Sequence, residues 1–189
     1  MAEDSKEAPD IKFIDLNARR RMIQGYIELL KSPHLDTRWR AAENLGIIGD
    51  QTAVQPLIEA LDDPFVDVAW LAAKSLGSIG DARAVAPLLR ALASNEPWLR
   101  AGAAIGLGKL GDKRAVEPIV ALLVDSKRQV RNHAAIALGF IGDDRALGPL
   151  EKIARDDPDE KVKAAATAAI RMIRLKSESA SEESAGAPE

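Results

Sequence analysis

The chain has 189 residues, of which 47% are hydrophobic, only 4% aromatic and 29% charged, with a net charge of −3 and no cysteine. Without cysteine there is no disulfide, no thiolate metal site and no cysteine nucleophile. The slightly acidic balance excludes a global basic field of the kind that recruits nucleic acid, and no apolar run approaches the roughly 20 residues that a membrane-spanning helix needs.

Residues 1–12 set Glu3, Asp4, Glu7 and Asp10 against Lys6 and Lys12, and are predicted to be a disordered tail. They hold no apolar stretch of the kind a secretory signal uses, so the cytoplasm is the expected location. From residue 13 onward a period of 31 residues takes over. The motif Leu-Gly-x-(Ile/Leu)-Gly-Asp occurs at Leu45–Asp50, Leu76–Asp81, Leu107–Asp112 and Leu138–Asp143. Pro56, Pro87, Pro118 and Pro149 keep the same interval, with Gly25 in the first unit's place, and so do the Ala-Ala pairs that begin at Ala41, Ala72, Ala103 and Ala134. Self-similarity at one fixed interval marks a repeat array rather than a globular domain. Five units follow, at about 13–48, 49–79, 80–110, 111–141 and 142–175, the last with one extra residue near Asp156-Asp157-Pro158. Residues 176–189 are rich in Ser, Glu and Ala and are predicted to be a disordered acidic tail.

Each unit is predicted to be two helices. The first follows Gly-Asp, as in Asp81 to Leu92, with the Asp as N-cap and the Pro near enough to the start to break few backbone bonds. A short polar break follows, such as Asp62-Asp63-Pro64. The second helix runs through the Ala-Ala pair to Leu-Gly, and the Gly of Gly-Asp supplies a left-handed stop. The motif is therefore punctuation between units, and its four Asp residues are structural. The fifth unit lacks it: Ile170-Arg171-Met172-Ile173-Arg174 stands in its place, so the last helix is expected to run to about Leu175.

The pattern Val-Arg-x-x-Ala-Ala-x-x-Leu-Gly-x-Ile-Gly-Asp-x-Arg-Ala-Val-x-Pro-Leu resembles the short HEAT-like repeat of the phycobilisome lyases. The nearest stretches are Val130-Arg131 through Gly142-Asp143, and Gly80-Asp81 through Pro87-Leu88. The resemblance covers about residues 20–175. It implies an all-α, right-handed α-solenoid of about five helix pairs, with first helices on the convex side and second helices on the concave side. Arg38, Arg100 and Arg131 match the family's ladder of basic residues, which bonds neighbouring units; Ala69 breaks the ladder and Lys163 substitutes in the last unit. Deoxyhypusine hydroxylase resembles this architecture but needs several His-Glu pairs for iron. Here His34 and His133 stand three units apart with no Glu following either, so they are expected to be surface histidines. DNA-repair glycosylases with HEAT-like repeats line a basic groove, whereas this face is mixed. The Arg19-Arg20-Arg21 run reads as a solvated capping surface, with anion contact as its alternative. No enzyme activity, metal or cofactor is expected.

What the repeat does not require is one face of each second helix, since positions three or four apart share a face. The columns are Trp39, Arg40, Glu43 and Ile47; Trp70, Leu71, Lys74 and Ser78; Ala101, Gly102, Ile105 and Lys109; Asn132, His133, Ile136 and Phe140; and, less securely aligned, Ala164, Ala165, Ala168 and Met172. Of these, Trp39, Arg40, Glu43, Ile47, Trp70, Leu71, Lys74, Ser78, Ile105, Lys109, Asn132, His133, Ile136 and Phe140 are the candidate partner-binding residues. Trp39 and Trp70 occupy one position in adjacent units and are the expected anchors, because Trp is enriched at binding hot spots; the alternative is that each folds over the next unit and merely packs. Trp98, after Pro97, is expected to cover an inter-helix loop. The expected function is a scaffold or adaptor that binds a protein or peptide on the concave face as a monomer, with no membrane contact and no nucleic acid. The alternative that the resemblance implies is a subunit of a bilin lyase or related phycobiliprotein-processing complex.

Overall fold

A computed structural model describes residues 16–185; the tail expected at 1–12 lies outside them. Among the described residues there are ten α-helices and no strand. In chain order they are α1 (Leu16–Leu29), α2 (Leu35–Ile48), α3 (Val54–Glu59), α4 (Val66–Ile79), α5 (Val85–Ala91), α6 (Pro97–Leu110), α7 (Val116–Ala121), α8 (Arg128–Ile141), α9 (Leu147–Asp156) and α10 (Glu160–Ala185). They pair as five antiparallel units and stack into an α-solenoid. One continuous core runs the length of the stack through Leu45, Leu76, Leu107 and Leu138 of the second helices and Leu57, Leu88, Ile119 and Leu150 of the first.

The motif works as its chemistry suggests. Gly49, Gly80, Gly111 and Gly142 have φ between 69° and 79°, and each N–H returns to the carbonyl of the motif's Leu four residues back. That left-handed conformation is what Gly adopts without a Cβ penalty. Asp50, Asp81, Asp112 and Asp143 then accept the N–H two residues on at 2.9–3.1 Å. This tight closure makes the start of each first helix a 3₁₀ turn, as in Ala82–Ala84 before α5, so the regular part is shorter than the predicted Asp81–Leu92. In the last three of these turns an Arg two residues on closes a fork onto the same Asp, and Arg83 and Arg145 also donate to the carbonyls of Gln51 and Lys113 in the preceding unit.

The Arg ladder is interlocking. Arg38, Arg100 and Arg131 make bidentate bonds of 2.7–3.1 Å to Asp63, Asp125 and Asp157 of the following unit, and each also donates to a carbonyl in its own inter-helix turn. The same Asp accepts the N–H two residues on and so fixes the turn that leads into the second helix. Hydrogen bonding to Arg131 holds the Asp157 carboxyl below its ordinary range. The rung is missing between the second and third units, where Ala69 replaces the Arg and Ser94 replaces the Asp. Ser94 keeps the turn bond, accepting Glu96 N–H at 3.1 Å.

Second helices touch one another along the first Gly of each motif. A Cβ built on Gly46 would stand 2.4 Å from Ser75 Oγ, on Gly77 2.5 Å from Gly106 Cα, on Gly108 2.8 Å from Ala137 Cα, and on Gly139 2.9 Å from Ala169 Cα. Each close contact joins residues 29 apart, or 30 across the extra residue of the last unit.

The end of the array differs from expectation. The last helix does not stop near Leu175, and residues 176–185 are helical rather than disordered. No Gly or Pro stands between Pro158 and Gly186, and Lys, Glu and Ala are all good helix formers. The extension is also tied down: Lys176 Nζ donates to Phe140 O at 2.6 Å and Ser177 Oγ to Asp144 Oδ1 at 2.7 Å.

Candidate functional site: the face of the second helices

The side of α2, α4, α6 and α8 that turns away from the first helices carries most of the candidate residues, at differing depth. Ile47, Ser78, Lys109 and Phe140 share one repeat position and are exposed; Ile47 is 76% accessible and Phe140 39%, unusual for large apolar side chains at a periodic position. Arg40 is exposed, and Glu43, Lys74, Ile105, Asn132, His133 and Ile136 are half-buried.

Leu71 does not belong to this surface. It is only 4% accessible and joins the core. Its repeat equivalent, Gly102, shows why that position is covered: a Cβ there would meet Trp70 Cδ1 at 2.9 Å. The indole of one unit thus lies across the next unit's second helix at that level. Trp39 holds the equivalent place one unit earlier, and both tryptophans are half-buried against the core. They pack between repeats and keep part of their surface open.

The second and third units bring four predicted residues together. Lys74 Nζ sits 5.2 Å from the centroid of the Trp70 ring, within cation–π range. Ser78 Oγ donates to Lys74 O at 3.2 Å and accepts from Lys109 Nζ at 2.9 Å. Burial, with the nearby positive charge of Lys74, pushes the Lys109 ammonium below its ordinary value. Further along, Asn132 Nδ2 donates to Lys161 O at 3.2 Å and His133 Nδ1 donates to Gln129 O at 2.6 Å. These two line a shallow cleft of about 140 Å³ with Arg128, Asp159, Lys161 and Val162. His34 is exposed just before α2, far from His133 in the stack. Among the described residues no group of three or more His, Cys, Asp or Glu side chains is placed to hold a metal ion, and no helix is long and apolar enough to cross a membrane.

Trp98, expected over an inter-helix loop, stands near the start of α6 and is 46% accessible. The signal for it lay in the spacing: Trp98, Gly102, Ile105 and Lys109 step by four, three and four, one stripe of a helix. On the other side of the stack, Arg19 and Arg20 border an open groove of about 390 Å³ with Leu16, Asp50 and Thr52, and Arg19 helps hold the Asp50 carboxyl low after Thr52, whose hydroxyl and N–H contribute most.

No curated protein matches the chain in sequence. Among solved structures it is similar to the complex of CpcE and CpcF of phycocyanin lyase from Nostoc sp. PCC7120, at 25% identity and a TM-score of 0.71 over 93% of this chain and 70% of that one. It shares the fold of an engineered protein (24% identity, TM-score 0.63, covering 80% and 79%) and of a designed armadillo repeat protein in complex with the peptide (KR)4 (20%, 0.61, covering 82% and 83%). A family model of HEAT repeats matches residues 23–98 and 87–171, and the chain belongs to the HEAT repeat family.

Proposed function

We propose that the chain is a non-enzymatic binding module that grips a protein or peptide segment on a concave surface formed by its second helices. One observation carries the reading: large apolar side chains stand exposed on that face at positions the fold leaves free, namely Ile47, Trp98 and Phe140. Exposed apolar side chains gathered on one face are where partners dock. Unequal spacing supports a concave surface there. Second helices approach to backbone contact along the Gly46, Gly77, Gly108 and Gly139 stripe, while successive first helices meet chiefly through their flanking 3₁₀ turns. A stack that is tighter on one side bends toward that side.

The test is selection of peptides from a random display library on the full chain. Binders are expected to lose about 2 kcal/mol, a hot-spot magnitude, when Trp98→Ala and Phe140→Ala are combined. Both side chains are exposed, so circular dichroism should show an unchanged fold. Peptides that bind the double variant as well as the parent would overturn the reading. The likeness to the CpcE–CpcF complex of phycocyanin lyase favours a second reading, a subunit that holds a bilin or its carrier protein. Visible absorbance on mixing with bilin and carrier would support it, and none under any condition would dismiss it.

A further inference from the structure

The pair Lys74 and Lys109 spans two units and faces the open side. Each ammonium offers three donors. Lys109 uses one on Ser78 Oγ, whose own proton goes to Lys74 O, so two remain. Lys74 uses its charge on the Trp70 face and makes no hydrogen bond there. Among the described residues neither lysine has a carboxylate within ion-pair distance, although most other cations near the junctions do. Glu43 holds the equivalent position to Lys74 one unit earlier, and the two form no ion pair. The Lys74 charge acts unfavourably on the Lys109 ammonium, and an anion between them would relieve it. Ile105 stands on the same stripe as Lys109 and Ile47 one unit before Ser78, so the surroundings are apolar on both sides.

We propose that Lys74, Ser78 and Lys109 form a seat for a carboxylate of an acidic peptide segment, one oxygen taken by each ammonium and the neighbouring side chain of the peptide laid against Trp70. This rests on the binding-module reading and specifies the partner's chemistry. It also explains the position of the seat. The junction it bridges is the one where Ala69 and Ser94 have removed the Arg–Asp rung, so a bound carboxylate ties together the second and third units from the open side, as the rung does elsewhere from the turn.

The experiment uses the full chain and two display libraries of otherwise random peptides, one with a fixed central Glu and one with a fixed central Gln. The Glu library is expected to be enriched at least tenfold over the Gln library. That preference should vanish on the Lys74→Gln/Lys109→Gln variant, return with Lys74→Arg/Lys109→Arg, and weaken as salt is raised. Glu-bearing binders should also raise the midpoint of thermal unfolding of the parent and not of the Gln variant. Equal enrichment of both libraries, with binding still sensitive to Trp98→Ala and Phe140→Ala, would overturn the seat and leave the binding module standing. No enrichment from either library would overturn both.

Discussion

Gly77→Ala should destabilise the chain by about 2 kcal/mol, although Ala is the better helix former. A Cβ at residue 77 would stand 2.5 Å from Gly106 Cα, 2.6 Å from its O and 2.9 Å from its C. Carbon atoms in good contact are about 3.5–4.0 Å apart, so α4 and α6 must separate by about 1 Å at this level. The atoms in the way are backbone, and no side chain can swing aside. Overpacking of this kind costs about 1–3 kcal/mol, and a rigid obstacle belongs at the upper end. Helix propensity returns about 1 kcal/mol. Gly25→Ala is the matched control: residue 25 lies inside α1 and nothing stands within 4 Å of its built Cβ. It should stabilise by about 1 kcal/mol. At about 2–4 °C per kcal/mol for a chain of this size, the two substitutions move the thermal midpoint in opposite directions, down by about 4–8 °C and up by about 2–4 °C. Thermal and urea unfolding followed by circular dichroism measure both. If Gly77→Ala stabilises as Gly25→Ala does, the second helices are not in backbone contact and the argument for curvature fails with it.

Arg131→Ala should cost about 3 kcal/mol, the low end for breaking a buried pair, because Asp157, whose side chain is 2% accessible, is left without its partner; a urea midpoint within error of the parent would contradict this. Ala69→Arg with Ser94→Asp should restore the missing rung and add about 1 kcal/mol, whereas Ser94→Asp alone should lower stability, an ordering read from the same urea titrations. The motif Asp residues set a pH dependence. Hydrogen bonds from the Arg83 side chain and N–H hold Asp81 at about 2, and Asp50, Asp112 and Asp143 are lowered by the same kind of contact. The folded form binds these protons more weakly than the unfolded form, with its ordinary value of 3.8. Their contribution to stability is therefore fully present above about pH 5 and is lost as pH falls from about 4 through 2. Thermal midpoints across that range should show the slope, and Asp81→Asn should flatten it.

Much of this was legible because the repeat states each interaction several times. The left-handed glycines, the Asp caps and the Arg ladder with its gap at Ala69 are all local or one-period signals, and the periodicity displays them directly. Three things were hidden. Gly77 reads as part of a helix stop, but its purpose lies in Gly106, 29 residues on, and two small residues leave no chemical trace of their meeting. Leu71 looks like its neighbours on the helical wheel; its burial in the core that joins the units is a cross-unit fact that single-helix periodicity does not contain. The helical run through Ala185 has a tail-like composition and is held by Lys176 and Ser177 on Phe140 and Asp144. At the candidate site, Trp98 rather than Trp39 or Trp70 is the tryptophan most open to solvent, because the two expected anchors are half-buried against the core.

The constant spacing of the joints has a kinetic consequence. The cross-unit hydrogen bonds named above join residues 25 to 36 apart, from Arg38–Asp63 to Lys176–Phe140. The entropy lost in closing a loop depends on the length of that loop, and here it is set by the period, whatever the number of units. Each unit can therefore dock on the one before it at the same entropic cost, so folding can start at any neighbouring pair and spread in both directions. A longer array with the same joints would fold each step no more slowly, and its length would be limited only by where the motif glycines give way to Arg171 and Arg174.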